Sequence, residues 1–276
     1  MMPSNIKTFA AQVRLEALRM VHRARASHIG GALSMADILA VLYAPGGRLS
    51  INHADPRWPQ RDRFILSKGH ACTSLYAALG LRGFFPLEDL TTYAQSGSPL
   101  MSHASHHVAG VELSTGSLGH GLPVGCGLAL AAKRRYELWR TVVLLSDGEM
   151  DEGSNWESFL FAPQHSLDNL WVVIDANGIQ SLGDVKDVLD LEPLADKLRA
   201  FRWSVIELDG HDHEALYRAL DLEHAPVSGR PTVIIARTVK GKGVGFMENS
   251  LEWHYKSPSD VQLAEAIAGL EGDLHA

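Results

Sequence analysis

Two short apolar runs constrain this chain most: Thr141-Val142-Val143-Leu144-Leu145 and Leu170-Trp171-Val172-Val173-Ile174. Neither alternates with polar residues, and both are rich in β-branched side chains. Each therefore reads as a strand buried on both faces, as in parallel sheets. Each also ends in a turn segment that carries hydrogen-bonding side chains. Ser146-Asp147-Gly148-Glu149 follows the first, and Asp175-Ala176-Asn177-Gly178-Ile179-Gln180 follows the second. In open α/β sheets, ligands collect beyond the carboxyl ends of such strands. A carboxylate and an amide carbonyl from two strand ends can hold one hard cation, and oxygen donors beside phosphate suit Mg²⁺ or Ca²⁺ better than zinc. Gly148 allows phosphate to approach the backbone closely. Asp-Gly and Asn-Gly are common turn dipeptides when taken singly. With 28 residues between Gly148 and Asn177, room for one helix and one strand, the pair points to a site.

The remaining pattern alternates in the same way. Apolar residues at Ile6, Phe9, Ala10, Val13, Ala17 and Val21 predict an amphipathic helix over 6–25. A second helix is expected over 35–43, stopped by Pro45-Gly46-Gly47. A short strand at 64–67, a helix at 70–81 and a helix at 120–135 precede the two central runs. A helix near 194–201, a strand at 203–208, a helix at 214–220 and a strand at 231–238 follow them. Helices between hydrophobic strands predict an α/β fold: a doubly wound, mostly parallel sheet with helices on both faces. Residues 84–116 form a long irregular stretch rich in His, Ser and Gly, a length usually kept for function.

Composition excludes several classes. Apolar residues make up 46% and charged residues 21% of 276 residues, which excludes a disordered chain. A net charge of −7 without a basic stripe gives nucleic acid no footprint. No run is apolar for long enough to span a bilayer. The opening 30 residues carry Lys7, Arg14, Glu16 and Arg19, unlike a signal peptide. Cys72 and Cys126 have neither zinc nor disulfide spacing. A reducing cytoplasm is the expected compartment. The clustered His103, His106 and His107 lack tight ligand spacing with Cys or carboxylate, so a transition-metal site is not expected there. His211 and His213, in Asp209-Gly210-His211-Asp212-His213, read as a surface loop after a strand, with a substrate-side position as the alternative.

Six blocks, in order, resemble the N-terminal half of the transketolase family. They are Ser27-His28-Ile29-Gly30-Gly31 running into a helix, Asp62 to Ala71 with its Gly69-His70 turn, and Gly110 to Gly121 with Thr115-Gly116-Ser117-Leu118-Gly119. The others are the Asp147-Gly148…Asn177 motif, Asp151 to Glu157, and the closing segment Lys240-Gly241-Lys242-Gly243…Trp253-His254. The resemblance implies a thiamine diphosphate cofactor with Mg²⁺ (Ca²⁺ or Mn²⁺ as substitutes) held by Asp147, Asn177 and Ile179. It implies cofactor contacts from His70, Gly116, Ser117, Leu118, Gly148, Glu149, Asn177 and His254. His28, His103 and His254 are implied to line the substrate channel, polarising the ketose carbonyl and moving protons. Glu152 is implied, with Glu157, in a carboxylate network linking paired active sites. One departure stands out: Ser146 replaces the usual first Gly of the metal motif, which would strain the backbone if positive φ were needed there.

The implied activity is transfer of a two-carbon ketol unit from a ketose to an aldose, both commonly phosphorylated, with the cofactor as electron sink. Residues 1–276 are expected to form a single diphosphate-binding domain. The family's pyrimidine-binding and C-terminal domains are missing from this chain. A native-looking start and an acidic tail suggest a natural split subunit, completed by a separate C-terminal transketolase subunit in an α₂β₂ assembly. Two alternatives remain: a subunit of a thiamine-dependent 2-oxo acid dehydrogenase or decarboxylase, and a non-catalytic partner-binding subunit.

Overall fold

Both apolar runs are strands at the centre of one sheet. The computed structural model describes residues 2–222 and 227–275; Met1 and Ala276, the ends of the expected domain, lie outside the described residues. The strands are β1 (Arg63–Leu66), β2 (Thr141–Ser146), β3 (Leu170–Ala176), β4 (Ser204–Asp209) and β5 (Thr232–Arg237). Every pairing is parallel, in the order β1-β2-β3-β5-β4. The helices are α1 (Ile6–Ala24), α2 (Ile29–Ser34), α3 (Ala36–Tyr43), α4 (Cys72–Leu81) and α5 (Gly121–Arg134). They continue as α6 (Gly153–Gln164), α7 (Val185–Val188), α8 (Leu194–Ala200), α9 (His213–Ala219) and α10 (Asp260–His275).

Successive side chains of a strand point to opposite faces, so the continuous apolar runs feed two cores at once. Val142, Leu144, Trp171, Val173 and Ile234 face a core shared with α1 to α4 and α9. Val143, Leu145, Val172, Ile174 and Val233 face a second core with α5, α6 and α8. The sheet is thus doubly wound, as expected from its pattern. Full burial of each such side chain contributes about 1.5–3 kcal/mol, so a polar substitution in either run would disrupt the layer behind it.

Register sets the site. Ser146 pairs with Asp175, so Asp147 and Asn177 leave adjacent strands side by side at their carboxyl ends. The helix between β2 and β3 does not begin directly after Gly148. A 3-10 turn at Gly148–Asp151 comes first, and extended Glu152 leads into α6. The reason is Glu149. Rather than a solvated acid at a helix N-terminus, it is a fully buried side chain accepting from Ser67 Oγ and from the Gly119 N–H at 2.9 Å. Ser146 ends β2 and is absent from the positive-φ residues. It carries no strain, and its Oγ accepts from the Glu149 N–H at 3.2 Å. Both cysteines are free and buried. No helix among the described residues is long and apolar enough to cross a membrane.

Candidate functional site

A narrow cleft opens at the carboxyl ends of β2 and β3, lined among others by Gly31, His70, Asp147, Gln180, Lys240 and His254. Larger concavities exist, one of about 530 Å³ between Phe85 and Ala109. The chemistry-bearing groups nevertheless converge on the narrow one. Asp147 is buried. Its Oδ1 accepts from the Gly148 N–H at 2.8 Å, and its Oδ2 from the Gly178 N–H at 2.6 Å. These bonds clamp the two strand-end turns together. Burial, with the Asp175 carboxylate nearby, pushes Asp147 up to about 6. A cation beside it would reverse that shift.

Asn177 Oδ1 accepts from the Ile179 N–H at 3.2 Å, and the Ile179 carbonyl accepts from Lys240 Nζ at 2.8 Å. Among the described residues no three His, Cys, Asp or Glu are grouped to hold a metal. The expected ligands are of a different kind: one carboxylate, one amide oxygen and one backbone carbonyl, a hard-cation set. Gly148 is required on steric grounds, since a Cβ there would sit 2.7 Å from the Cβ of Gln180. Gln180 Nε2 is buried without a hydrogen-bond partner. Such a donor suits an anionic ligand.

Four histidines from four distant segments form one wall. The His28 ring centroid lies 5.1 Å from that of His70, 6.2 Å from His103 and 4.9 Å from His254. His70 and His254 are 5.8 Å apart. His28 caps α2 at φ 69°, left-handed backbone uncommon outside Gly, and donates its N–H to the His254 carbonyl at 2.9 Å. That conformation carries strain of order 1–3 kcal/mol, and His28 Nδ1 is buried and unpaired. Burial and nearby positive groups lower His28 and hold His70 well below 6.5, and they lower His254 to about 4. All three rings are therefore neutral near pH 7; His254 turns its unprotonated Nδ1 to Lys240 Nζ at 3.2 Å, whereas His28 Nδ1 has no partner. Gly116 adjoins His103, where an added Cβ would meet the ring at 3.0 Å. This contact brings the segment Gly116-Ser117-Leu118 to the cluster's edge.

Glu152 stands apart: exposed at the start of α6, it is not among the residues lining the cleft. The Glu149 side chain points inward, and only its N–H, which donates to Ser146 Oγ at 3.2 Å, could turn to a ligand. His211 and His213 correct the surface-loop reading, because both are mostly buried and bound to Asp37.

Sequence reasoning missed the charged floor of the cleft. Lys68, 1% exposed, donates to the Gly31 carbonyl at 2.9 Å and to Asp175 Oδ2. Asp175 also accepts from Ser34 and Thr238. Burial pushes Asp175 up, but the Lys68 ammonium and these donors together hold it below its usual value. Lys240 adds a second cation, 3.2 Å from His254 Nδ1, with burial lowering it to about 8. The available signal was a Lys beside a strand-end turn in two of the six blocks.

The family model for "Transketolase, thiamine diphosphate binding domain" matches residues 6–271. The chain is 39% identical over 257 residues to one subunit of an apulose-4-phosphate transketolase from Phocaeicola vulgatus, covering 92% of this chain and 89% of the relative. It is 38% identical over 260 residues to one subunit of a 6-deoxy-6-sulfo-D-fructose transketolase from a Clostridium species, covering 94% of each. Its fold superposes on a crystal structure of transketolase from Campylobacter jejuni with a TM-score of 0.90 and 33% identity. That match covers 98% of this chain but 43% of the longer one.

Proposed function

Since this chain belongs to the transketolase family, as its thiamine diphosphate-binding N-terminal part, we propose that it is one subunit of a split transketolase. In this reading it works with a C-terminal subunit in an α₂β₂ assembly. The complex transfers a two-carbon ketol unit from a ketose to an aldose. The observation that carries the proposal is the meeting of Asp147, Asn177 and the Ile179 carbonyl with His28, His70, His254 and Lys240 at one strand-end cleft.

Asp147, Asn177 and Ile179 would hold Mg²⁺ through oxygen. His70, Lys240, Gln180 and the Gly148 and Glu149 backbone would bind the diphosphate. Gly116, Ser117 and Leu118 would flank the ring at the cluster's edge. When bound, thiamine diphosphate supplies the electron sink for carbon–carbon cleavage. His28, His103 and His254 hold or move protons at the substrate carbonyl and hydroxyls; His28 and His254 stay neutral because they are buried among cations. Glu152, exposed on α6, is assigned to contact with a second protomer rather than to this cleft.

The test is ketol transfer with thiamine diphosphate and Mg²⁺, run with this chain by itself and with a C-terminal transketolase subunit. Donors are xylulose 5-phosphate and the two sugars named for the relatives, apulose 4-phosphate and 6-deoxy-6-sulfo-D-fructose. Transfer only in the mixture supports the proposal. Transfer by the lone chain, or a mixture that takes up no cofactor, refutes it.

A further inference from the structure

Outside the cleft, Asp37 on α3 is a carboxylate with an unusually full set of donors. It is 4% exposed and accepts from four of them. Arg14 of α1 reaches it with both terminal nitrogens, His211 Nδ1 lies 2.7 Å from Oδ2, and His213 Nε2 lies 2.8 Å from Oδ1. The two histidines differ in one respect. His211 Nε2 accepts from the backbone N–H of Val239 at 2.9 Å.

That bond fixes the tautomer, because the nitrogen receiving an amide proton must present its lone pair. His211 is thus neutral, with its proton on Nδ1 and donated to Asp37. The next residue after Val239 is Lys240, whose Nζ bonds the Ile179 carbonyl at 2.8 Å and lies beside His254. The same segment is pinned by the Gly241 N–H to the Gly30 carbonyl at 3.0 Å, and Gly243 packs against the Arg14 side chain. A carboxylate, an imidazole and an amide therefore run in series from α1 and α3 to the segment bearing the cleft's second lysine.

We propose that Arg14, Asp37 and His211 are positioning residues that brace the Val239–Lys240 backbone and so aim the Lys240 side chain into the cofactor cleft. The functional consequence rests on the split-transketolase reading; the brace itself does not. His213 is the internal control, since it bonds Asp37 while the Val239 N–H goes to His211. Outer partners of this kind typically alter affinity about 10-fold or more when removed.

The experiment compares His211→Asn, His211→Gln and His213→Asn in the full chain by amide hydrogen exchange over residues 236–242. Asn keeps a donor toward Asp37 but is too short to accept from Val239, whereas Gln reaches Val239 with its carbonyl oxygen. His211→Asn is expected to speed exchange there by roughly tenfold, the factor one ordinary hydrogen bond is worth. His211→Gln and His213→Asn should stay near wild type. Equal exchange in His211→Asn and His213→Asn overturns the brace, as does a His211→Gln chain as disturbed as His211→Asn. Nitrogen-15 spectra of the unmutated chain add a check that needs no variant: a protonated His211, or its proton on Nε2, at pH 7 also overturns it.

In the complex with the C-terminal subunit, His211→Asn should raise the half-saturating thiamine diphosphate concentration about tenfold at fixed Mg²⁺. The rate at saturation should change less than about twofold, as expected when an interaction shared by ground and transition states is lost. An unchanged half-saturation with altered exchange overturns the functional consequence. A wild-type complex that takes up no cofactor instead removes the split-transketolase reading, and exchange alone then judges the brace.

Discussion

Replacing Lys68 with Met should be the most damaging single change beneath the cleft. The Lys68 and Asp175 side chains are 1% and 0% exposed, so neither charge can recover hydration when the other is lost. Removing one partner of such a pair costs about 3–5 kcal/mol, mostly the penalty of the abandoned charge. Among the described residues Asp175 would keep only its bonds from Ser34, Thr238 and a long one from Asn177 at 3.4 Å. For 276 residues, an unfolding entropy near 2.1 cal/mol/K per residue converts that cost to a fall in Tm of roughly 5–9 °C. The assay is urea unfolding followed by fluorescence of the six tryptophans, at pH 7, on Lys68→Met, Asp175→Asn and the double variant. Because the double variant buries no unpaired charge, it should be more stable than the sum of the single losses implies, with a coupling of about 2 kcal/mol or more. Residues in contact couple by about 0.5–3 kcal/mol, while independent sites add within about 0.5. Additivity within that margin, or a Lys68→Met loss below about 1 kcal/mol, would refute the argument that this pair is held by mutual compensation.

Asp37 gives a pH dependence of definite sign. Burial pushes its carboxyl up, but Arg14 and the two histidines hold it well below 3.8. The native carboxylate stays charged where the unfolded chain has already taken up a proton. Its contribution is therefore complete above about pH 4 and is lost as pH falls through the native value. Asp37→Asn should cost about 3–5 kcal/mol at pH 7, and its gap from wild type should narrow as unfolding is measured from pH 5 toward pH 3. Asp147→Ala, or removal of divalent metal by EDTA, should weaken thiamine diphosphate uptake by the two-subunit complex at least about 100-fold, read by equilibrium binding. Gly148→Ala should destabilise by about 1–3 kcal/mol in the same urea assay, because the new Cβ meets the Gln180 Cβ at 2.7 Å and a backbone must shift.

The fold was legible because its dominant signals are local. Uninterrupted apolar runs at 141–145 and 170–174 can be satisfied only by a sheet covered on both faces, and both cores draw on them. Ligand positions at strand ends were legible for the same reason, since Asp147 and Asn177 each directly follow a strand. Pairings across long separations were not. Glu149 reads locally as a helix-start acid, yet it is buried against Ser67, 82 residues away. The donors to Asp37 lie 23, 174 and 176 residues from it, and nothing local announces them.

Histidine shows the limit most clearly. Gly69-His70 comes three residues past the end of β1 and Gly210-His211 directly past the end of β4, two dipeptides identical in type, each at the carboxyl end of a strand. One ring turns to a cleft among three other histidines, its lone pair unspent. The other is locked between a carboxylate and an amide, both ring nitrogens committed. What separates them is Asp37, a residue whose burial depends on Arg14 being present to neutralise it. The chemistry open to a histidine here is decided by which distant charge its own segment meets, and only the folded chain contains that information.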